Sequence, residues 1–123
     1  MDINWLGENS FKINDGIIDI FVNPTSETVP KESLTDDTVL ICTEPNNDFQ
    51  TKLVKVDSPG EYEINNASIH GVANSVIKEQ DRFISTCYRI ESRGLSIAVI
   101  GMIGSPFDSD TLSVLAPSHV VLF

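Results

Sequence analysis

Three apolar runs limit what this chain can fold into. Val39-Leu40-Ile41-Cys42, Leu95-Ser96-Ile97-Ala98-Val99-Ile100 and His119-Val120-Val121-Leu122-Phe123 are each nearly continuous in apolar residues. Bounded by turn signals, such runs read as strands buried on both faces, and strands of that kind need cover on each side. The first run stops abruptly in Thr43-Glu44-Pro45-Asn46-Asn47-Asp48. A loop leaving a buried strand is held rigid by it, which makes the place suited to an active site. This loop nevertheless lacks a histidine, a cysteine or any nucleophile–base pair.

The remaining segments read as hairpins. Residues 2–6 form a first strand closed by Gly7. Asn14-Asp15-Gly16 separates the runs 11–13 and 17–21, and an Asp-Gly pair between two such runs is a strong hairpin signal. Residues 23–37 mix proline with small polar and charged residues and read as a loop. The alternation of Lys52-Leu53-Val54-Lys55-Val56 predicts a strand, followed by a turn at Asp57-Ser58-Pro59-Gly60. Asn65-Asn66 breaks a second hairpin between 61–64 and 67–72, and Ser92-Arg93-Gly94 a third between 82–91 and 95–100. Residues 73–81 are polar and read as a mobile loop. One helix is predicted, capped by Ser109 or Asp110, running to Leu115 and stopped by Pro117. A last strand follows at 119–123.

With 123 residues and 41% hydrophobic content, one globular domain over 1–123 is expected. Eighteen acidic against eight basic residues give a net charge of −10, which opposes non-specific binding to nucleic acid or an anionic membrane. The N-terminus shows no basic n-region followed by an apolar h-region, and no stretch reaches the ~18 apolar residues of a membrane span, so a cytoplasmic protein is expected. Cys42 and Cys87 sit inside apolar strands and read as buried thiols, with no framework that signals a disulfide.

Several stretches together resemble the metallo-β-lactamase-fold hydrolases, in particular small bacterial and archaeal zinc-dependent hydrolases of that fold. Trp5-Leu6-Gly7-Glu8-Asn9-Ser10-Phe11 is similar to a W-x-G-x-S-x-F opening, and Ile18-Asp19-Ile20-Phe21 to I-D-P-F with Ile20 for the proline. Pro59-Gly60-Glu61-Tyr62-Glu63-Ile64, then Ile69-His70-Gly71, resembles P-G-E-Y-E-I followed by I-x-G. Tyr88-Arg89-Ile90-Glu91 and Gly101-Met102-Ile103-Gly104 fall where the family has its late hairpin and its G-D-x-G turn. The resemblance implies an α+β fold, mainly β in this chain: an incomplete metallo-β-lactamase-like αβ/βα sandwich, with 1–123 its N-terminal part.

The family's chemistry rests on T-H-x-H-x-D-H after a strand, where His and Asp hold metal ions that activate water. Against that motif, Thr43, Pro45 and Asp48 stand at the three His positions and Asn47 at the Asp. Met102 replaces the Asp of G-D-x-G, and Val76 falls near a further His position. Pro45 offers no ligand and Met102 only a soft thioether. The zinc of the family is therefore expected to be lost, leaving no cofactor and no catalytic residue.

Other candidates are weaker. Glu44 and Asp48 with Asn46 and Asn47 fall short of the six to eight oxygens that Ca²⁺ takes. As an acid–base pair the two carboxylates need burial or coupling to split their pKa values. His70 has no second ligand at metal spacing, and His119 reads as an edge or capping residue. A Cys87–His70 dyad lacks an orienting group. In Glu61-Tyr62-Glu63, alternation turns Tyr62 inward and both glutamates to water. The expectation is a non-catalytic homologue acting as a binding or assembly module. The alternatives are a hydrolase that is metal-independent or completed by another chain, and a purely structural subunit. The expected partner is a second copy or another protein.

Overall fold

Hairpin chemistry places the first strands as expected. A computed structural model describes residues 1–123 apart from Glu79 and Ser105, and for Lys78 the backbone alone. β1 (Asp2–Gly7), β2 (Ser10–Asn14) and β3 (Asp19–Val22) run antiparallel in turn. At the β2–β3 turn Gly16 takes φ +102°, a region costly for other residues. Asp15 Oδ1 there accepts the N–H groups of Ile17 and Ile18, each at 2.9 Å. β4 (Val39–Ile41) then pairs parallel to β3, and β5 (Lys55–Val56) parallel to β4, giving a sheet in the order β1-β2-β3-β4-β5.

The second sheet is a meander with a parallel addition. β6 (Gly60–Ile64), β7 (Ala67–Lys78), β8 (Asp81–Ser92) and β9 (Leu95–Val99) are successively antiparallel. The chain crosses through α1 (Ser109–Leu115) to β10 (Val120–Leu122), which pairs parallel to β9. Asn65 and Asn66, at φ 50° and 69°, make the β6–β7 turn, and Arg93 and Gly94, at 50° and 78°, the β8–β9 turn. Positive φ at two successive positions matches the right-handed twist of the flanking strands.

The two sheets bury one face each against the other. Ile13, Ile20, Val22, Val39, Ile41 and Val56 of the first meet Ile69, Tyr88, Ile90, Ile97 and Val99 of the second. A second cluster, Phe21, Val29, Leu40 and Phe49 with Leu6, Leu34 and Leu53, lies on the outer face of the first sheet. A third, Cys87, Ala98 and Leu115 with Val72 and Val114, lies under α1.

Four expectations are corrected. The strand at 52–56 shrinks to Lys55–Val56, because Leu53 is drawn over the outer face of the first sheet while Val54 is left exposed. Residues 73–81 are not a polar loop. β7 runs to Lys78 and pairs in register with β8, Val76 opposite Phe83, with Val76 buried; Glu79 lies outside the described residues. The helix is capped by Asp108, whose Oδ1 accepts from Thr111 N–H at 2.7 Å. Finally, much of the missing cover comes from loops. The segments 23–38 and 44–54 close over Phe21 and Leu40, so 39–42 is buried without an α-helix over it. At β10 Val121 is 52% exposed, and Phe123 just beyond it is 85% exposed.

Asp15 also joins the two sheets, its Oδ2 accepting from Ser92 Oγ at 2.7 Å. Burial opposes its ionisation, yet the Ile18 N–H, the Ser92 hydroxyl, the Ile17 N–H and the Arg93 charge outweigh it and hold the pKa below 3.8. A folded pKa below the unfolded one stabilises above the unfolded value, and the contribution is lost as pH falls through the folded value. Asp15→Ala is expected to cost about 1–3 kcal/mol at neutral pH. Urea denaturation at a series of pH values should show that cost shrinking as pH drops below about 3.8. A cost that does not shrink as pH falls below about 3.8 contradicts the assignment.

Candidate metal-loop site

Beyond β4 the chain enters a position flanked by both sheets. Cys42 N–H donates to Val56 O at 2.7 Å, and Thr43 O accepts from Thr86 N–H of β8 at 2.8 Å. Thr43 is 1% exposed. Its N–H and Oγ1 both donate to Asn23 Oδ1, at 2.8 and 3.1 Å. Gly101 comes against it from the end of β9: a Cβ there would sit 2.8 Å from Thr43 Cβ and 2.4 Å from Ser85 Oγ. Gly104 is as tight against β7, its Cβ position 2.7 Å from Val76 Cα.

The structure therefore brings Thr43 and the 101–104 turn together, with Met102 half-buried beside Gly101, and sets Val76 under the same turn. Asp48 is placed elsewhere. It is exposed and lines a cleft of about 490 Å³ with Glu8, Glu27, Ser10 and Thr25, which neither Thr43 nor Glu44 lines. Pro45 is exposed. Asn47 Nδ2 donates to Pro24 O at 3.0 Å, and Lys55 Nζ donates to the carbonyls of Asn47 at 2.6 Å and Phe49 at 3.2 Å.

These donors do not fit zinc. The Thr43 hydroxyl and the Asn47 amide are spent on the protein's own carbonyls and amide, Pro45 has no donor, and a thioether is a poor partner for a borderline ion. Among the described residues no group of three or more His, Cys, Asp or Glu side chains is placed to hold a metal.

Nucleophiles are equally suppressed. Burial pushes the Cys42 thiol up to about 12, with Lys55 opposing and Asp57 adding to the shift. Burial also raises Cys87, against a hydrogen bond from the Gly101 backbone. Neither carries thiolate near neutrality, and both are free thiols. Cys87 lies under α1 with Ala98 and Leu115, whereas His70 is half-exposed and faces Glu61 at 3.8 Å. His119 caps the β9–β10 pair, its Nδ1 accepting from Ser96 N–H at 3.0 Å. Tyr62 turns inward, its hydroxyl donating to Ser58 O at 2.7 Å, while Glu61 and Glu63 face water.

Two residues that hold this end together were not singled out by sequence reasoning. Asn23 is one; its Asn-Pro junction with Pro24 signals only a turn. Tyr88 is the other. Fully buried, it donates to Cys42 O at 2.7 Å and to Val56 O at 3.3 Å, and burial raises its pKa.

A family model described as a β-lactamase superfamily domain matches residues 2–123. No curated protein matches the chain. A crystal structure from Thermotoga maritima, titled as a Zn-dependent hydrolase of the metallo-β-lactamase superfamily, superposes with a TM-score of 0.72 at 19% identity. The superposition covers 97% of this chain and 58% of that one, so the chain spans little more than half the length of its neighbour. With two facing sheets and a family match over residues 2–123, the chain belongs to the β-lactamase superfamily and carries a metallo-β-lactamase-like fold.

Proposed function

We propose that this chain is a non-catalytic metallo-β-lactamase-fold homologue that serves as a binding or assembly module. The observation that carries the reading is the fate of Thr43. At a position where the resembled motif presents a ligand, the side chain is buried and bonded to Asn23. Asn47 is likewise engaged with Pro24. Fold alone does not confer activity, and no other assembly of nucleophile, base and orienting group stands in its place among the described residues. The purified protein is expected to hold no stoichiometric zinc. Metal analysis of chelator-free preparations, with calorimetric titration, checks this, and one tightly held zinc per chain sinks the reading.

The assembly role is supported by the sheet edges. β1 carries Asp2 and β6 carries Glu61 and Glu63, charges that discourage strand addition. β10 carries no charged side chain and leaves Val121, with Phe123 beyond it, in water. The same edge supports the second reading, a hydrolase whose remaining parts lie on another chain. With a net charge of −10, the partner is a protein rather than nucleic acid or an anionic membrane. No described helix is long and apolar enough to cross a membrane, and a cytoplasmic setting accords with the two free thiols. The 123-residue chain is expected to form a dimer or higher oligomer through the sheet carrying β10. Sedimentation equilibrium at micromolar concentration decides it: a stable monomer removes the argument from the edge.

A further inference from the structure

We infer that Asn23 and Thr43 form a clasp that holds this end of the sandwich together in place of a metal ion. The inference deepens the non-catalytic reading and rests on it for the absence of a metal. The Asn23 side-chain amide meets two other segments. Asn23 Oδ1 takes both hydrogen bonds from Thr43, and its Nδ2 donates to Asn9 O in the β1–β2 turn at 3.1 Å. Its own N–H donates to Ile41 O at 2.8 Å. Through Thr43 O the chain of contacts continues to Thr86 N–H in the second sheet. Asn23 is 8% exposed, so these bonds form where an unmade one is costly.

The residue types fit the task closely. Asn23 has φ +50°, a conformation that asparagine tolerates and most residues avoid. Aspartate would accept from Thr43 but lose the donor to Asn9 and bury a charge. Glycine would keep the backbone and lose the amide. At Thr43 space is limited: the side chain is 1% exposed, and even a Cβ on Gly101 would sit 2.8 Å from its Cβ. A metal would gather these loops through anionic or imidazole donors converging from several strands. Here the neutral groups of Asn23, Thr43 and Asn9 satisfy one another, and the clasp they form needs no ion.

A double-mutant cycle tests the clasp. Asn23→Gly removes the amide without strain at positive φ, and Thr43→Val removes the hydroxyl at nearly constant volume. Thr43→Val is expected to lower the folding equilibrium constant about five- to tenfold in the wild-type background and less than about twofold with Asn23→Gly. Equal effects in both backgrounds overturn the clasp and leave the non-catalytic reading standing. Should Asn23→Gly fail to fold, native-state hydrogen exchange on the unmodified chain serves. The Thr43 amide is expected to be protected like those of β4, and exchange at the rate of an exposed loop overturns the clasp. Adding zinc chloride or a chelator should leave the wild-type melting temperature unchanged. A rise of several degrees with zinc, coupling intact, overturns the metal-free part together with the non-catalytic reading.

Discussion

Tyr88→Ala is expected to be the most damaging single substitution in the chain, lowering stability by about 3–5 kcal/mol. The ring is fully buried between the sheets, and Gly71 lies against it so closely that a Cβ there would sit 2.9 Å from the ring. The hydroxyl adds a separate contribution, because it donates to the carbonyl of Cys42 where the first sheet ends. Tyr88→Phe keeps the packing and removes that donor, and is expected to cost about 1–3 kcal/mol. Since domains of this size are stable by only about 5–15 kcal/mol, the alanine variant approaches global unfolding. Guanidinium denaturation of both variants checks the pair of values. A phenylalanine variant as unstable as the alanine one would mean that the hydroxyl, not the ring, dominates.

The second large effect concerns the loop itself. Restoring the family motif with Thr43→His, Pro45→His, Asn47→Asp and Asp48→His is expected to destabilise the protein and yield at best weak zinc binding. Pro45 and Asp48 are exposed and tolerate exchange. Thr43 is not: an imidazole must enter a site where the threonine is already 1% exposed, and such overpacking costs about 1–3 kcal/mol. Asn47→Asp also loses the donor to Pro24 O. The groups that orient metal ligands are missing as well, and their loss typically weakens affinity about 10–100-fold. Thermal melting and calorimetric zinc titration of the quadruple variant settle the matter. Micromolar or tighter binding with hydrolysis of a generic ester or lactone would show that only the ligands themselves had changed.

The hairpins were legible because their turn chemistry is local. Asp15-Gly16, Asn65-Asn66 and Arg93-Gly94 each specify a reversal whatever the rest of the chain does. Burial of both faces of 39–42 was legible from its apolar run, but not its source, because loops that cover a sheet leave no periodic signature. The length of β7 was missed for a related reason. Asn74 and Ser75 look like loop residues, and only pairing with β8 and cover from the 101–104 turn make them strand. At the candidate site the altered motif was readable residue by residue. Asn23 was not, since its role depends on Thr43, twenty positions away in sequence.

The loop cover of the first sheet has a kinetic consequence. β4 is buried at every position, and its parallel neighbours β3 and β5 are reached only by closing the long segments 23–38 and 42–54. Pairings of that kind form late, because chain entropy must be lost before any contact rewards it. Until Phe49 and Val29 settle over Leu40, this apolar stretch is in water and free to associate. Glu27, Lys31, Glu32, Asp36 and Asp37 upstream and Glu44 and Asp48 downstream flank it with charge. Those residues act as gatekeepers, keeping nascent chains apart during the interval in which β4 has no partner.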